Sequence, residues 1–165
     1  MKYDEAYLYS RDIDWFCIIG GIFCHVASAG GLLPDVVNDR DKLRDMQKRV
    51  FDMDYIFRDE DIYINQDFLY QRFGNNQKNQ EAYLYSFIRY FKNHVKIYLY
   101  SFIKMSRKGF VSLDRTNVMD ITDHTYHVVC YPKHIIKLNI QDLPNINGHI
   151  LNDSLVDIHL LELFK

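Results

Sequence analysis

The clearest pattern in the chain is a pair of apolar, β-prone runs that flank two glycines. Residues 13–19 and 22–28 form the runs, and Gly20–Gly21 between them can adopt the positive φ angles of a two-residue hairpin turn. This turn places Cys17 opposite Cys24. Because apolar residues then occupy both faces of the ribbon, we expect an interior strand pair with two reduced, packed thiols rather than a disulfide.

The next pattern has helical spacing. Apolar positions recur from Leu43 to Phe51, after Asn38 and Asp39, either of which can accept the hydrogen bonds of an N-cap. We predict a helix that continues through about Met53.

A duplicated segment follows in the middle of the chain. Residues 82–89 (AYLYSFIR) recur fifteen positions later as 97–104 (IYLYSFIK). A step of this length advances a helix by about 60° beyond whole turns, so the two copies do not share one face of a straight helix. The pattern predicts either two helices bent near Asn93 and His94 or one long bent helix, and it favours a packing role for the repeated side chains.

The last third of the chain is rich in strand signals. In residues 125–131, strict alternation predicts Tyr126, Val128 and Cys130 on one side of a strand. A terminal helix is predicted from residue 153. Further strands are predicted over 61–65, 110–113 and 135–140.

Strands at both ends of the chain, with helices between them, favour an α+β fold. We predict a single domain over residues 1–165. Its sheet is mostly antiparallel and consists of the N-terminal β-hairpin and the C-terminal strands, and the helices from the middle of the chain pack on it.

Composition places the chain among ordinary globular proteins. Of its 165 residues, 48% are hydrophobic and 25% are charged, which argues against disorder and against a coiled coil. The aromatic fraction of 15% is high and comes mainly from 13 Tyr and 11 Phe. Because tyrosine combines an apolar ring with a polar tip, this surplus is typical of half-buried positions and contact surfaces.

The sequence also predicts a cellular location. No apolar run reaches the roughly 18 residues that cross a bilayer, and the N-terminus lacks the basic and apolar segments of a signal peptide. Three cysteines without a CxxC motif fit a reducing compartment. We therefore expect a cytoplasmic protein with no membrane partner.

Charge is spread unevenly along the chain. The formal charge is −5 over residues 1–81, +6 over 82–137 and −3 over 138–165. Within the basic middle, the predicted helix ends in cations just before Gly109, which predicts a cationic patch with aromatic neighbours, although the helix dipole alone also favours cations there. The candidate binding residues are Lys104, Arg107, Lys108, Arg115, Tyr98 and Tyr100.

Signals for catalysis are weaker. His25 near a strand end and Ser28 in the following glycine-containing loop are candidate catalytic residues, because enzymes often hold a histidine on a rigid element beside a loop. No GxSxG motif accompanies them. The loop also lacks GxGxxG and GxxxxGK[ST], and Asp35 and Asp39 nearby would repel a phosphate.

The segment 120–127 gathers side chains that can carry protons or bind metal. His124 and His127 are therefore further catalytic candidates, together with Asp120 and Asp123. If the segment is extended, the two histidines point to opposite faces, whereas a zinc site needs three or four converging ligands. An Asp-rich turn explains the same residues, and we expect neither a metal nor a cofactor.

These observations rank three functions. We expect a non-enzymatic protein-interaction or regulatory module whose partner is an acidic protein surface or a second copy of the chain. The first alternative is an enzyme acting on a phosphorylated or nucleotide-like substrate in a pocket of His25, Ser28, Arg115 and the segment 120–127. The second is a nucleic-acid-binding module, which is not favoured because the pI of about 6.4 is far below the values above about 9 typical of that class.

Overall fold

A computed structural model describes residues 1–66, 68–69, 84–147 and 150–151. For residues 84–93 it describes the backbone and not the side chains. The loop predicted over 74–80 and the terminal helix predicted from residue 153 lie outside the described residues. In chain order the elements are α1 (Glu5–Tyr9), β1 (Asp14–Ile19), β2 (Ile22–Ala27), α2 (Arg40–Phe51), a 3₁₀ turn (Asp59–Asp61), β3 (Ile62–Ile64), α3 (Leu84–Arg107), β4 (Val111–Arg115), β5 (Tyr126–Pro132) and β6 (Asn145–Ile146).

All six described strands belong to one mixed sheet with the order β3-β5-β4-β2-β1-β6. Three neighbouring pairs are antiparallel, and the pairs β2–β4 and β1–β6 are parallel. The predicted α+β class is therefore confirmed. Among the described residues, no helix is both long and apolar enough to cross a membrane.

The N-terminal hairpin has the predicted register. Gly20 and Gly21 have φ angles of 56° and 83°, and Cys17 lies opposite Cys24. Every residue of β2 is buried, as expected for a strand with neighbours on both sides. The cysteines are free, as predicted.

The two longer helices also follow local signals. Asp39 caps α2, because its side chain accepts hydrogen bonds from the backbone N–H groups of Asp41 and Lys42. The described part of the duplicated region, from residue 84 onward, forms one continuous helix, α3, rather than two. The side chains of its first copy lie outside the described ones.

Two strand predictions in the last third need correction. Residues 135–140 do not form a strand; Ile136 and Leu138 instead pack over a core cluster beside β1. On the side away from β2, β1 pairs with the two-residue strand β6, which was not predicted from the sequence. In β5, a bulge at Val129 interrupts the alternation, so Cys130 packs on the side of α3, whereas Val128 packs on the other face.

Both faces of the sheet are covered. On one face, α1 and the segment after β2 pack through Leu8 and Leu33 against a core that contains Trp15 and Tyr126. The other face carries α2 and α3, with Phe102 of α3 among its buried residues. This arrangement leaves the outer side of α3 in contact with solvent.

Candidate functional site

The candidate residues from the sequence lie on opposite faces of the sheet. His25 is on the face that carries α3, with its ring centroid 5.8 Å from that of Phe102. Arg115 is on the other face, where its guanidinium donates to the carbonyl oxygen of Ala29 at 2.9 Å. The structure therefore does not bring His25 and Arg115 into one pocket.

His25 is the centre of a buried hydrogen-bond network. Its Nε2 lies 2.9 Å from Oδ1 of Asp14, and its Nδ1 lies 3.3 Å from Oγ of Ser112. Ser106 of α3 in turn donates to Ser112 at 3.2 Å and contacts Cys130. This network connects four adjacent strands with helix α3.

The network has the residue types of a nucleophilic triad but not its exposure. Ser112 and Cys130 are both fully buried, so neither can reach a substrate. Burial also raises the pKa of the Cys130 thiol to about 12, which keeps it protonated at neutral pH. The atom of the network nearest to solvent belongs to Asp14, whose side chain is 31% exposed.

Asp14 also lines a groove between the C-terminal end of α2 and the outer side of α3. We call this cleft of about 310 Å³ the α2–α3 groove. Three aromatic side chains and two lysines give it a mixed apolar and cationic surface. Its lining residues are Asp14, Phe51, Tyr55, Tyr100, Ser101, Lys104, Met105 and Lys108.

The cations around the groove differ in how far they are already engaged. Lys108 is buried, and its ammonium donates to the carbonyl oxygens of Phe51 and Met53 at the end of α2. Burial lowers the pKa of Lys108, the nearby charge of Lys104 lowers it further, and Asp54 and Asp52 act in the opposite direction. Lys108 therefore stabilises the C-terminal end of α2.

Arg107 is also engaged. Its guanidinium pairs with Asp59 at 3.2 Å and lies 4.1 Å from the ring centroid of Tyr55. Lys104, by contrast, makes no ion pair within the described part of the chain, and its Nζ lies 5.5 Å from the ring centroid of Tyr100. Of the two lysines that line the groove, Lys104 is therefore the one whose ammonium has no hydrogen-bond partner in the described part of the chain.

Large apolar side chains around the groove are open to solvent. On α3, Ile97 and Tyr100 are 74% and 67% exposed. Phe51, Tyr55 and Ile56, in and after α2, are each about half exposed. Tyr98 points the other way, and its hydroxyl donates to Asp114 of the sheet at 2.6 Å.

Of the remaining candidates, Ser28 and His127 are buried and contact other parts of the fold. Ser28 is buried, and its hydroxyl accepts the backbone N–H of Ile13 at 2.8 Å. His127 is buried, with its ring centroid 3.7 Å from that of Phe68, whereas His124 is exposed. In the ranges that the structure describes, no three His, Cys, Asp or Glu side chains are grouped so that they could hold a metal ion.

The groove contains three of the predicted binding residues, Lys104, Lys108 and Tyr100. Sequence reasoning missed the residues that other elements contribute, above all Asp14 and Tyr55. For Tyr55 the available signal was its place beside the aromatic end of α2, whereas no local pattern signals Asp14 on β1. Comparison of the chain with protein-family models, with curated proteins and with solved structures found no match.

Proposed function

We propose that this protein is a non-enzymatic protein-interaction module and that the α2–α3 groove is its docking site for an acidic segment of a partner protein. The observation that carries the proposal is the exposure of Tyr100, 67%, beside an aromatic groove that contains the unpaired cation Lys104. Tyrosine side chains at a concave apolar surface are typical of binding hot spots.

The groove also indicates the chemistry of the partner. Its volume of about 310 Å³ is sufficient for one or two apolar side chains of a docked segment. A carboxylate next to those side chains would pair with Lys104 and improve the match in charge. The expected ligand is therefore a short segment with a large apolar residue beside Asp or Glu.

A selection from a library of random displayed peptides, with the whole chain immobilised, tests this proposal. We expect enriched peptides to combine an apolar residue with a neighbouring carboxylate. The double variant Tyr100→Ser, Lys104→Ser should lower their affinity at least about tenfold. Lys96→Ser, which removes an exposed lysine of α3 outside the groove lining, is the matched control and should leave the affinity unchanged.

Two results would contradict the proposal. One is a selection that enriches no peptide family. The other is a set of peptides that bind the double variant as tightly as the unmodified chain.

An enzyme acting on a phosphorylated or nucleotide-like substrate is the second candidate. It is supported by the carboxylate of Asp14, which lines the groove and is hydrogen-bonded to His25, a pairing that can hold a proton beside the cation Lys104. Its test is turnover of a panel of phosphomonoesters and nucleotides, which Asp14→Asn should abolish. Absence of turnover by the unmodified chain counts against it.

Nucleic-acid binding has less support. Arg107, Lys108 and Arg115 already donate to a carboxylate or to backbone carbonyl oxygens, so fewer cations are available for phosphates. A steep fall of affinity with salt, weakened by Arg107→Ala with Lys108→Ala, would favour it.

A further inference from the structure

The loop that joins β4 to β5, residues 116–125, has hydrogen bonds of its own, and we call it the β4–β5 loop. Asp123 accepts hydrogen bonds from the backbone N–H of Asn117 at 2.8 Å and from the hydroxyl of Thr125 at 2.7 Å. Asp120 accepts the backbone N–H of Thr122 at 2.9 Å and its hydroxyl at 2.7 Å. These bonds join the two ends of the loop and tie Asp120 and Asp123 to its backbone.

The buried side chain of Arg115 also donates hydrogen bonds to this loop. Its side chain is 1% exposed, and it donates to the carbonyl oxygens of Val118 and Asp120 at 3.2 and 3.3 Å. It also donates to Ala29 in the loop after β2. The β4–β5 loop is therefore fastened to the body of the fold, and binding through it requires little further ordering.

This ordered loop presents apolar side chains to solvent. Met119 is 90% exposed, and Val118 and Ile121 are 38% and 41% exposed. Three exposed apolar residues within four positions form a patch that a partner can cover. Methionine is well suited to such a contact because its flexible thioether adapts to aromatic surfaces.

The loop is also acidic. Hydrogen bonds from Thr122 lower the pKa of Asp120, and for Asp123 the bonds from Thr125 and Asn117 outweigh burial and lower its pKa too. Both carboxylates are therefore ionised at neutral pH. The loop has the composition expected above for a ligand of the α2–α3 groove, namely a large apolar residue beside carboxylates.

We propose that the β4–β5 loop of one copy of this chain docks into the α2–α3 groove of a second copy. Met119 enters the aromatic groove near Tyr55 and Tyr100, and a loop carboxylate pairs with Lys104. The inference rests on the proposed function and names a second copy as the partner.

The contact is heterologous, because the loop and the groove share no residue. A pair of bound copies keeps one free loop and one free groove, so further copies add head to tail and association increases with concentration. A symmetric dimer would need two such contacts, with the loop of each copy in the groove of the other, and it is not expected.

Sedimentation velocity of the purified chain from about 1 to about 300 µM, a range that covers weak contacts, measures this association. We expect the mean sedimentation coefficient to rise with concentration. Met119→Asp, at a site 90% exposed, should weaken association at least about tenfold without unfolding the chain. Val36→Asp, an equivalent change at a 60% exposed residue outside both surfaces, is the control and should not alter association.

Mixing two defective variants gives the sharpest test. Met119→Asp keeps its groove, and the double variant Tyr100→Ser, Lys104→Ser keeps its loop. Neither should associate alone, but together they should form heterodimers and stop there. An unmodified chain that stays monomeric over the whole range, or variants that do not recover on mixing, would overturn the inference.

The two proposals can fail separately. If the peptides selected on the groove lose affinity for the Tyr100→Ser, Lys104→Ser variant while the chain stays monomeric, the docking function holds and the second copy is not its partner. If association occurs and survives both sets of substitutions, another surface carries it, and the inference is wrong.

Discussion

An alanine at position 31 would collide with the buried guanidinium of Arg115. A Cβ atom built on Gly31 lies 2.2 Å from Nη1 of Arg115, 2.8 Å from Cζ and 2.9 Å from Cδ. The backbone of Gly31 is not in the left-handed region, so alanine meets a steric obstacle there and no conformational one. Gly31→Ala therefore measures how firmly Arg115 is held.

The expected loss of stability in Gly31→Ala follows from the displacement of the Arg115 guanidinium. Overpacking of a well-packed site by one carbon costs about 1–3 kcal/mol, and displacing the guanidinium would weaken its bonds to three carbonyl oxygens at about 1 kcal/mol each. We expect Gly31→Ala to lower the free energy of unfolding by about 2 kcal/mol. Arg115→Ala alone should cost about 3 kcal/mol, because it removes those bonds and the packing of the side chain.

The double variant Gly31→Ala, Arg115→Ala tests whether the guanidinium is the obstacle. With Arg115 shortened, the methyl group introduced by Gly31→Ala has space, so its cost should fall close to zero and the coupling energy should be about 2 kcal/mol. The control is Gly21→Ala, which has a φ of +83° and no atom within 4 Å of its Cβ. Its cost of about 1 kcal/mol comes from backbone strain and should be the same with or without Arg115.

Urea unfolding provides the assay, with fluorescence of the single tryptophan as the signal. Trp15 is fully buried, and its ring meets that of Tyr126, the cross-strand neighbour of Arg115, edge-on at 5.7 Å between centroids. If Gly31→Ala costs the same in both backgrounds, the guanidinium is not the obstacle, and the description of Arg115 as a fixed support is wrong.

Two further predictions use the same unfolding assay. The unfolded chain releases the Cys130 proton from about pH 9, whereas the folded chain keeps it up to about pH 12, so the unfolded state binds fewer protons in this window and stability falls as pH rises. At pH 10 this thiol accounts for about 1.4 kcal/mol of the loss relative to pH 8, and Cys130→Ala should show a decline smaller by that amount; an identical decline would contradict the burial of the thiol. His25→Leu should cost about 2 kcal/mol because it removes the hydrogen bonds of the imidazole to Asp14 and to Ser112, although the Ser112 hydroxyl keeps its bonds to Phe102 and Ser106. Asp14→Asn can still bond to the imidazole and should cost about 1 kcal/mol. Equal costs for the two variants would show that the network contributes little.

Features that depend on neighbouring residues in the chain could be predicted from the sequence. The register of the first hairpin follows from two glycines that permit a tight turn. The start of α2 follows from the side chain of Asp39, which bonds to the backbone within three residues. Both signals act over a few positions, so no knowledge of the tertiary structure was needed.

Features that depend on distant partners could not be predicted in the same way. The run 135–140 is as β-prone as a strand, yet among the described residues no strand pairs with it, and it packs over a core cluster without regular structure. The two residues of β6 become a strand only because β1 lies next to them. The bulge at Val129 likewise arises from pairing with β4 and is invisible in the alternation of β5 alone.

In the candidate site, too, residues of one helix could be predicted from the sequence, whereas residues from distant parts of the chain could not. Lys104 and Tyr100 were identified because they belong to one helix, but the opposite wall of the groove comes from the end of α2 and from Asp14, far away in sequence. The charge pattern was misleading for Arg115, which looked like part of a cationic surface and is buried on the other face of the sheet. The glycine at position 31 is consistent with this burial, since a side chain there would occupy the space of the guanidinium.

The burial of Arg115 connects stability with the exposed loop. Its guanidinium donates to three carbonyl oxygens, makes no ion pair with a carboxylate in the described residues, and leaves its Nε–H without a partner. An apolar side chain of similar size would fill the same space with a smaller desolvation cost, so arginine is not the most stable choice for this position. What arginine adds is a fixed conformation for two loops, one of which displays Met119 to solvent. A fold that accepts a cost in stability to hold an exposed apolar loop rigid is the arrangement expected where that loop binds a partner.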